Sequence, residues 1–255
     1  MKDEKRFWDQ YQVLYGLRLS LKKYRSTNEF YLAFKEFYID NSDLNISYSQ
    51  FTRYLRGETK LTRKKMDLFQ SYLLEEVNLV PDLLIPRIYI DIQAQPIQVD
   101  LTELLSTPST LNFLAYFVCY KENLYNRFDV ILTHSEAVPL AIGFSQTLNI
   151  PWYTVSYRPP STRPDQISQY PYLIDQELVS TVYFNQKRPA IRNKRVLIIN
   201  DYVRKGGLLD ILFRVVEDNS GEVSYLLALI GIGSHWKSLF TELHGRLKVL
   251  YFLSQ

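Results

Sequence analysis

One segment of the sequence carries side chains that could hold a phosphorylated sugar. Residues 196–199 are apolar, and Asn200 and Asp201 follow them at once. The oxygen atoms of a carboxylate and of an amide accept hydrogen bonds from sugar hydroxyls. Gly206 and Gly207 come next, and because glycine has no side chain, their N–H groups can approach a phosphate closely. The segment therefore predicts a sugar-phosphate site between a central strand and the start of a helix.

A second segment repeats this layout of strand, turn and helix. Residues 128–133 have the pattern of a buried strand, and Ser135 and Glu136 follow in a polar turn. Ligands of parallel sheets bind beyond the carboxyl ends of the strands. The end of this second strand is therefore another place where a ligand could bind, whereas His134 is interpreted as a loop or packing residue.

Together the two segments resemble the ligand-binding loops of type I phosphoribosyltransferases. The resemblance covers residues 87–255 and implies a mostly parallel sheet of about five strands, a flexible hood at residues 158–170, and a dimer. Where that family has an acid, a small residue and two threonines, this chain has Asn200, Arg204, Lys205 and Leu208. These differences predict ligand binding without catalysis. The predicted ligand-binding residues are Asn200, Asp201, Arg204, Lys205, Gly206, Gly207, Leu208, Ser135 and Glu136.

The same resemblance implies a metal ion only as a companion of the bound ligand. Enzymes of the family use Mg²⁺ together with phosphoribosyl pyrophosphate, so Mg²⁺ is expected here only if that compound binds. The sequence predicts no other cofactor, no metal-ligating residue and no catalytic residue.

A basic segment in the first third of the chain predicts a different kind of site. Residues 47–65 contain six basic residues and one acidic residue, a net charge of +5, which attracts phosphate backbones. The segment resembles the recognition half of a phage-repressor-like helix-turn-helix, in which glutamine and arginine read base edges. Phe51, Tyr54 and Leu55 are expected to pack inward. The predicted DNA-binding residues are Ser47, Ser49, Gln50, Arg53, Arg56, Lys60, Arg63, Lys64 and Lys65.

The hydrophobic pattern divides the chain into two parts that would position these sites. Helical periodicity with capping signals at Ser26, Ser47 and Gly57 precedes Pro81, and strands alternate with helices after Pro86. We predict an all-α helix-turn-helix domain over residues 1–80. An α/β type I phosphoribosyltransferase-like domain with a mostly parallel sheet is predicted over residues 81–255.

Composition narrows the class of protein. Of the 255 residues, 46% are hydrophobic and 22% are charged, which is typical of a soluble globular protein. Cys119 is the only cysteine, so an internal disulfide is excluded and a buried thiol in a reducing cytoplasm is expected. No apolar run reaches the roughly 20 residues that cross a bilayer, and the charged N-terminus is unlike a signal peptide.

The combined layout resembles transcriptional regulators that join a helix-turn-helix to a phosphoribosyltransferase-like sensor. It implies a homodimer on double-stranded DNA whose affinity changes with a nucleotide or phosphoribosyl pyrophosphate effector. Two alternatives remain: an active phosphoribosyltransferase for orotate, adenine or another base with a helical extension, and a nucleotide-binding adaptor with no DNA role.

Overall fold

The computed structural model describes residues 9–38, 45–75, 79–91, 98–159, 167–175, 178–185, 191–203, 208–232, 241 and 246–253. Four helices form the N-terminal part: α1 (Gln10–Leu21), α2 (Thr27–Phe37), α3 (Tyr48–Arg56) and α4 (Arg63–Glu75).

The ends of these helices are set by the residues that the sequence marks as caps. The Ser26 hydroxyl accepts the Glu29 N–H at 3.2 Å, and the Ser47 hydroxyl accepts the Gln50 N–H at 3.2 Å. Gly57 ends α3 with φ of 76°, a left-handed conformation in which a side chain is strained. The predicted helices are therefore confirmed near their predicted boundaries.

The rest of the described chain alternates between strands and helices. In chain order its elements are α5 (Leu79–Leu84), β1 (Tyr89–Asp91), β2 (Gln98–Asp100), α6 (Thr102–Leu105), α7 (Pro108–Lys121), β3 (Val130–His134), α8 (Val138–Leu148), β4 (Trp152–Val155), β5 (Ile167–Asp175), β6 (Leu178–Asn185), β7 (Arg195–Val203), α9 (Leu208–Asp218), β8 (Glu222–Ile232) and β9 (Leu247–Leu253).

Five of these strands form a parallel sheet in the order β4-β3-β7-β8-β9, so β7 is its middle strand. Side chains of β7 point alternately to the two faces of the sheet, which places Leu197 and Ile199 in one core and Val196 and Ile198 in another. Strands β1 and β2 form an antiparallel pair, as do β5 and β6. The prediction of a mostly parallel sheet is confirmed.

The helical part and the sheet share one of the two cores. That core contains buried residues of α1, α2, α3 and α4 together with α7, α8 and one face of the sheet. At the contact, the hydroxyls of Tyr15 in α1 and Thr110 in α7 lie 2.7 Å apart. Gly16 packs so closely that an added Cβ would lie 2.7 Å from both Leu73 and Phe113. The domain boundary after residue 80 stays a prediction.

Two elements differ from the sequence-based expectation. Strand β5 begins inside the segment predicted as a hood, which ends at residue 170, and α5 contains Pro81. The sequence also predicts a helix over residues 236–243, and these residues lie outside the described part of the chain except for Thr241.

The single cysteine is buried, as expected. Its burial raises the pKa of the Cys119 thiol well above the usual value. Within the described residues, no helix is both long enough and apolar enough to span a bilayer.

Candidate functional site

Asn200 and Asp201 lie in the carboxyl-terminal half of the middle strand. The strand continues past them, because Tyr202 and Val203 still pair with Ile230 and Gly231 of β8. Both polar residues are therefore inside the sheet, with 4% and 5% of their surface exposed. Buried polar side chains at this position need partners, and those partners define the site.

Asp201 is held by the neighbouring strand. Its Oδ1 lies 3.0 Å from Nε2 of His134, the last residue of β3, and the same oxygen accepts the Tyr202 N–H at 2.8 Å. Because a carboxylate accepts, the imidazole proton belongs on Nε2. Nδ1 of His134 is buried and has no hydrogen-bond partner in the described part of the chain. His134 thus contacts a predicted ligand-binding residue rather than serving only as a loop residue.

Asn200 replaces the first acid of the resembling motif, and its surroundings explain why an amide is tolerated. Its Nδ2 donates to the carbonyl oxygen of Tyr202 at 2.9 Å. Its Oδ1 is buried and has no hydrogen-bond partner among the described residues.

A cleft of about 590 Å³ opens at the carboxyl-terminal ends of these strands. This size is in the range of small-molecule sites. Asp201, Tyr202, Glu136 and Pro139 line the side formed by the sheet. The opposite side is formed by residues of β2 and α6, called here the β2–α6 wall: Val99, Asp100, Leu101, Thr102, Leu105 and Ser106.

The wall carries its own carboxylate. Asp100 Oδ1 accepts the N–H of Thr102, the first residue of the short helix α6, at 2.8 Å. Hydrogen bonds from Thr102 lower the pKa of Asp100, which keeps this carboxylate ionised. Asp100, Glu136 and Asp201 therefore give the cleft three hydrogen-bond acceptors from separate elements.

Tyrosines gather beside the cleft where β4 ends. Tyr157 is hydrogen-bonded to Tyr172 of β5 and lies near Glu136 and Tyr202. Burial, followed by the negative charge of Glu136, raises the pKa of Tyr157. Its hydroxyl therefore stays protonated and can donate a hydrogen bond.

The predicted ligand-binding residues fall into three groups. Asp201 and Glu136 line the cleft together. Asn200 is buried in β7 and Ser135 is exposed in a 3-10 turn, and neither is part of the lining. Leu208 begins α9 and packs against the second core. Arg204, Lys205, Gly206 and Gly207 lie outside the described residues.

No sequence pattern indicated that the β2–α6 wall belongs to a ligand site. Its residues are distant in sequence from Asp201 and have no recognisable ligand motif. In the predicted hood, residues 160–166 lie outside the described part and the remainder includes the start of β5.

The predicted DNA-binding residues lie on the outside of the helical part. Arg53, Arg56, Lys60, Arg63 and Lys64, called here the basic surface, are all exposed. Phe51, Tyr54 and Leu55 are buried, as expected. The exposed ion pairs that Glu58 makes with Arg53 and Arg56, at 3.9 and 3.7 Å, are long and weak.

The other four residues of that predicted set lie in α3 and α4 or at the start of α3. The Ser47 hydroxyl caps α3 through the Gln50 N–H, and Gln50 is half-buried. Lys65 donates to the Tyr54 hydroxyl at 2.7 Å and lies over the same ring. Ser49 is exposed at the start of α3.

The side chains that could ligate a metal do not indicate, within the described part of the chain, an ion held by the protein itself. Among the described residues, no group of three His, Cys, Asp or Glu side chains is placed to hold a metal ion. Mg²⁺ accompanying phosphoribosyl pyrophosphate stays a prediction.

Solved structures with a similar fold are adenine phosphoribosyltransferases. The enzyme from Giardia lamblia, complexed with 9-deazaadenine, is 17% identical over 69% of this chain and 98% of its own, with a TM-score of 0.55. The enzyme from Rhodothermus marinus is 22% identical over 68% of this chain and 98% of its own, with a TM-score of 0.52. The enzyme from Trypanosoma brucei, in complex with AMP, pyrophosphate and ribose-5-phosphate, is 16% identical over 71% of this chain and 80% of its own, with a TM-score of 0.51.

No protein-family model and no curated protein matches the sequence. At these identities the structural similarity concerns the fold. The C-terminal part of this chain therefore has a phosphoribosyltransferase-like α/β fold, to which the N-terminal helices are added.

Proposed function

We propose that this chain is a DNA-binding transcriptional regulator whose phosphoribosyltransferase-like part binds a nucleotide or phosphoribosyl pyrophosphate. The observation that carries the proposal is the presence of two surfaces on one chain. A cleft lined by Asp201 opens at the end of the middle strand, and a basic helix faces outward on the attached helical part.

The ligand class follows from the cleft and the fold. Asp201, Glu136 and Asp100 supply acceptors for sugar hydroxyls or amino groups. A solved enzyme of the same fold is complexed with AMP, pyrophosphate and ribose-5-phosphate. A phosphoribosyl compound is therefore the ligand that fits both observations.

Binding without turnover is supported by the residues of the middle strand. Asn200 stands where the resembling enzymes have an acid, so one negative charge that would stabilise a ribose-like cation is missing. The remaining carboxylate, Asp201, already receives two hydrogen bonds at one oxygen.

The DNA-binding role rests on how α3 is presented. Its apolar residues Phe51, Tyr54 and Leu55 are buried, so its polar face with Ser49 and Arg53 is turned to solvent. The basic surface continues onto α4 through Arg63 and Lys64. This arrangement suits a recognition helix in the major groove with phosphate contacts beside it.

Helix α1 provides a route between the two surfaces. On one side it contacts α7 through Tyr15 and Thr110, and α7 packs against α6 of the cleft wall. On the other side Arg18 Nε donates to the carbonyl oxygen of Leu55 at 2.7 Å, near the end of α3. A ligand that moves α6 would therefore act on α3 through packed helices.

The experiment is a fluorescence-anisotropy titration of the full chain with DNA from upstream of its own gene. It is run alone, with AMP, and with phosphoribosyl pyrophosphate plus Mg²⁺. We expect specific binding at low salt, a change of affinity with one of the ligands, and a loss of binding in Arg53→Ala. Sedimentation on the same samples should give a dimer, because helix-turn-helix proteins read two half-sites. Equal affinity for unrelated DNA, or no effect of Arg53→Ala, would contradict the regulator.

An active phosphoribosyltransferase is the second candidate, favoured by the fold shared with enzymes over 98% of their length. The assay is release of pyrophosphate from phosphoribosyl pyrophosphate with adenine, orotate or another nucleobase. Turnover that is abolished by Asp201→Ala would reverse the order of the two candidates.

A further inference from the structure

We propose that His134 is a positioning residue that fixes Asp201 so that the cleft selects ligands by their sugar hydroxyls. The proposal rests on the function proposed above and adds a selection rule to it. His134 was not among the ligand-binding residues indicated by the sequence.

The geometry leaves Asp201 little freedom. The side chain of His134 is 1% exposed, and its Nε2–H donates to Asp201 Oδ1 at 3.0 Å. The Tyr202 N–H donates to the same oxygen at 2.8 Å. Neither donor uses Oδ2, although Asp201 is part of the cleft lining. One carboxylate oxygen is thus fixed by the protein, and the other is left for a ligand.

The support for His134 is itself rigid. Strands β3 and β7 are adjacent and parallel, with Ile131 opposite Leu197 and Leu132 opposite Ile198. His134 is also paired with Val155 of β4. The imidazole is therefore carried by a strand with neighbours on both sides, which is a more precise support than a loop.

The arrangement has a consequence for specificity. A hydrogen bond to a charged group is stronger than one between neutral groups. A site built around such an acceptor rejects an analogue that lacks the donor, because the second oxygen of the Asp201 carboxylate would then stay without a hydrogen bond. A ligand with vicinal ribose hydroxyls should therefore bind more tightly than the same ligand without them.

The test uses two ligands and three variants of the full chain. AMP and 2′,3′-dideoxy-AMP are titrated by calorimetry into the wild-type protein, His134→Gln, His134→Leu and His134→Asn. The Gln amide nitrogen reaches about as far as Nε2, whereas the Asn amide is too short and Leu has no donor. Circular dichroism melts of each variant show whether it is folded.

The expected pattern depends on both the variant and the ligand. The wild-type protein should bind AMP about tenfold or more tightly than the dideoxy analogue, the size expected of a lost hydrogen bond to a charged group. His134→Leu and His134→Asn should lose most of that preference, mainly by weaker binding of AMP. His134→Gln should keep it. If His134→Leu does not fold, the comparison of His134→Gln with His134→Asn still tests whether a donor at the position of Nε2 is needed.

Three outcomes would overturn the proposal. An unchanged preference in folded His134→Asn would show that the imidazole does not position Asp201. Equal weakening of both ligands in His134→Asn, with no recovery in His134→Gln, would show a general structural role. Failure of the wild-type protein to bind any ribose phosphate, including phosphoribosyl pyrophosphate, would remove the proposed ligand and this inference together. In that case DNA binding by the basic surface would stand separately.

Discussion

Replacing Lys60 and Lys64 together with alanine should make binding to DNA less sensitive to salt. Lys60 lies in the turn before α4 and Lys64 lies in its first turn, and both are exposed. They flank the outward face of α3 without belonging to the core, so their removal should leave the fold unchanged. The variant therefore isolates the electrostatic part of DNA binding.

The magnitude follows from the number of charges removed. Each phosphate that a side chain neutralises contributes about 0.9 to the slope of log affinity against log salt concentration. Two lost contacts should reduce that slope by about 1.8. Between about 50 and 200 mM salt, the wild-type protein should lose about tenfold more affinity than the variant.

The measurement is a series of anisotropy titrations at four salt concentrations with the same DNA. Lys121→Ala with Lys194→Ala is the matched control, because it removes the same charge from exposed positions on α7 and before β7. An equal change of slope in the control, or no change in Lys60→Ala with Lys64→Ala, would refute the assignment of the basic surface to phosphate contacts.

Two predictions concern stability. Hydrogen bonds from Arg195 lower the pKa of Asp129 to about 2 from 3.8. The pair therefore stabilises the fold above about pH 4, and this contribution to stability is lost as the pH falls toward 2. Asp129→Asn should therefore cost about 1 kcal/mol at pH 7, a value reduced by solvent screening. Urea denaturation at pH 7 and at pH 3 should show the difference shrinking, and a constant difference would argue against the pair. Gly16→Ala should lower the melting temperature, because the added Cβ would lie 2.7 Å from Leu73 and Phe113. Overpacking destabilises a fold by about 1–3 kcal/mol, which exceeds the gain in helix propensity of about 1 kcal/mol. A higher melting temperature in calorimetry would show that the side chains of Leu73 and Phe113 move aside at little cost.

The local elements were largely predictable because their signals are local. Ser26, Ser47 and Gly57 mark helix ends by hydrogen bonds and a backbone conformation within a few residues. The apolar residues of β7 indicate a strand buried on both faces, which the sheet confirms. Strand β5 was not predicted, because Pro171 interrupts its sequence pattern. The strand is stabilised by its pairing with β6.

The candidate site was predictable only in part. Asp201 and Glu136 could be found because each follows an apolar strand, and parallel strands bring their ends together. The contact of His134 with Asp201 joins residues that are far apart in sequence, and it depends on the order of strands in the sheet. The β2–α6 wall depends on how a short hairpin folds back over the sheet, which no periodicity encodes.

The close packing of α1 on α7 limits how this chain can be taken apart or recombined. Phe113 and Thr110 face Gly16 and Tyr15 rather than water. A protein cut after residue 80 would expose aromatic surface on α7 and would tend to aggregate. A chimera that carries these helices on another scaffold would need a matching groove for Gly16. A substitution at this contact in one part is therefore expected to need a matching change in the other, as at an interface between permanent partners.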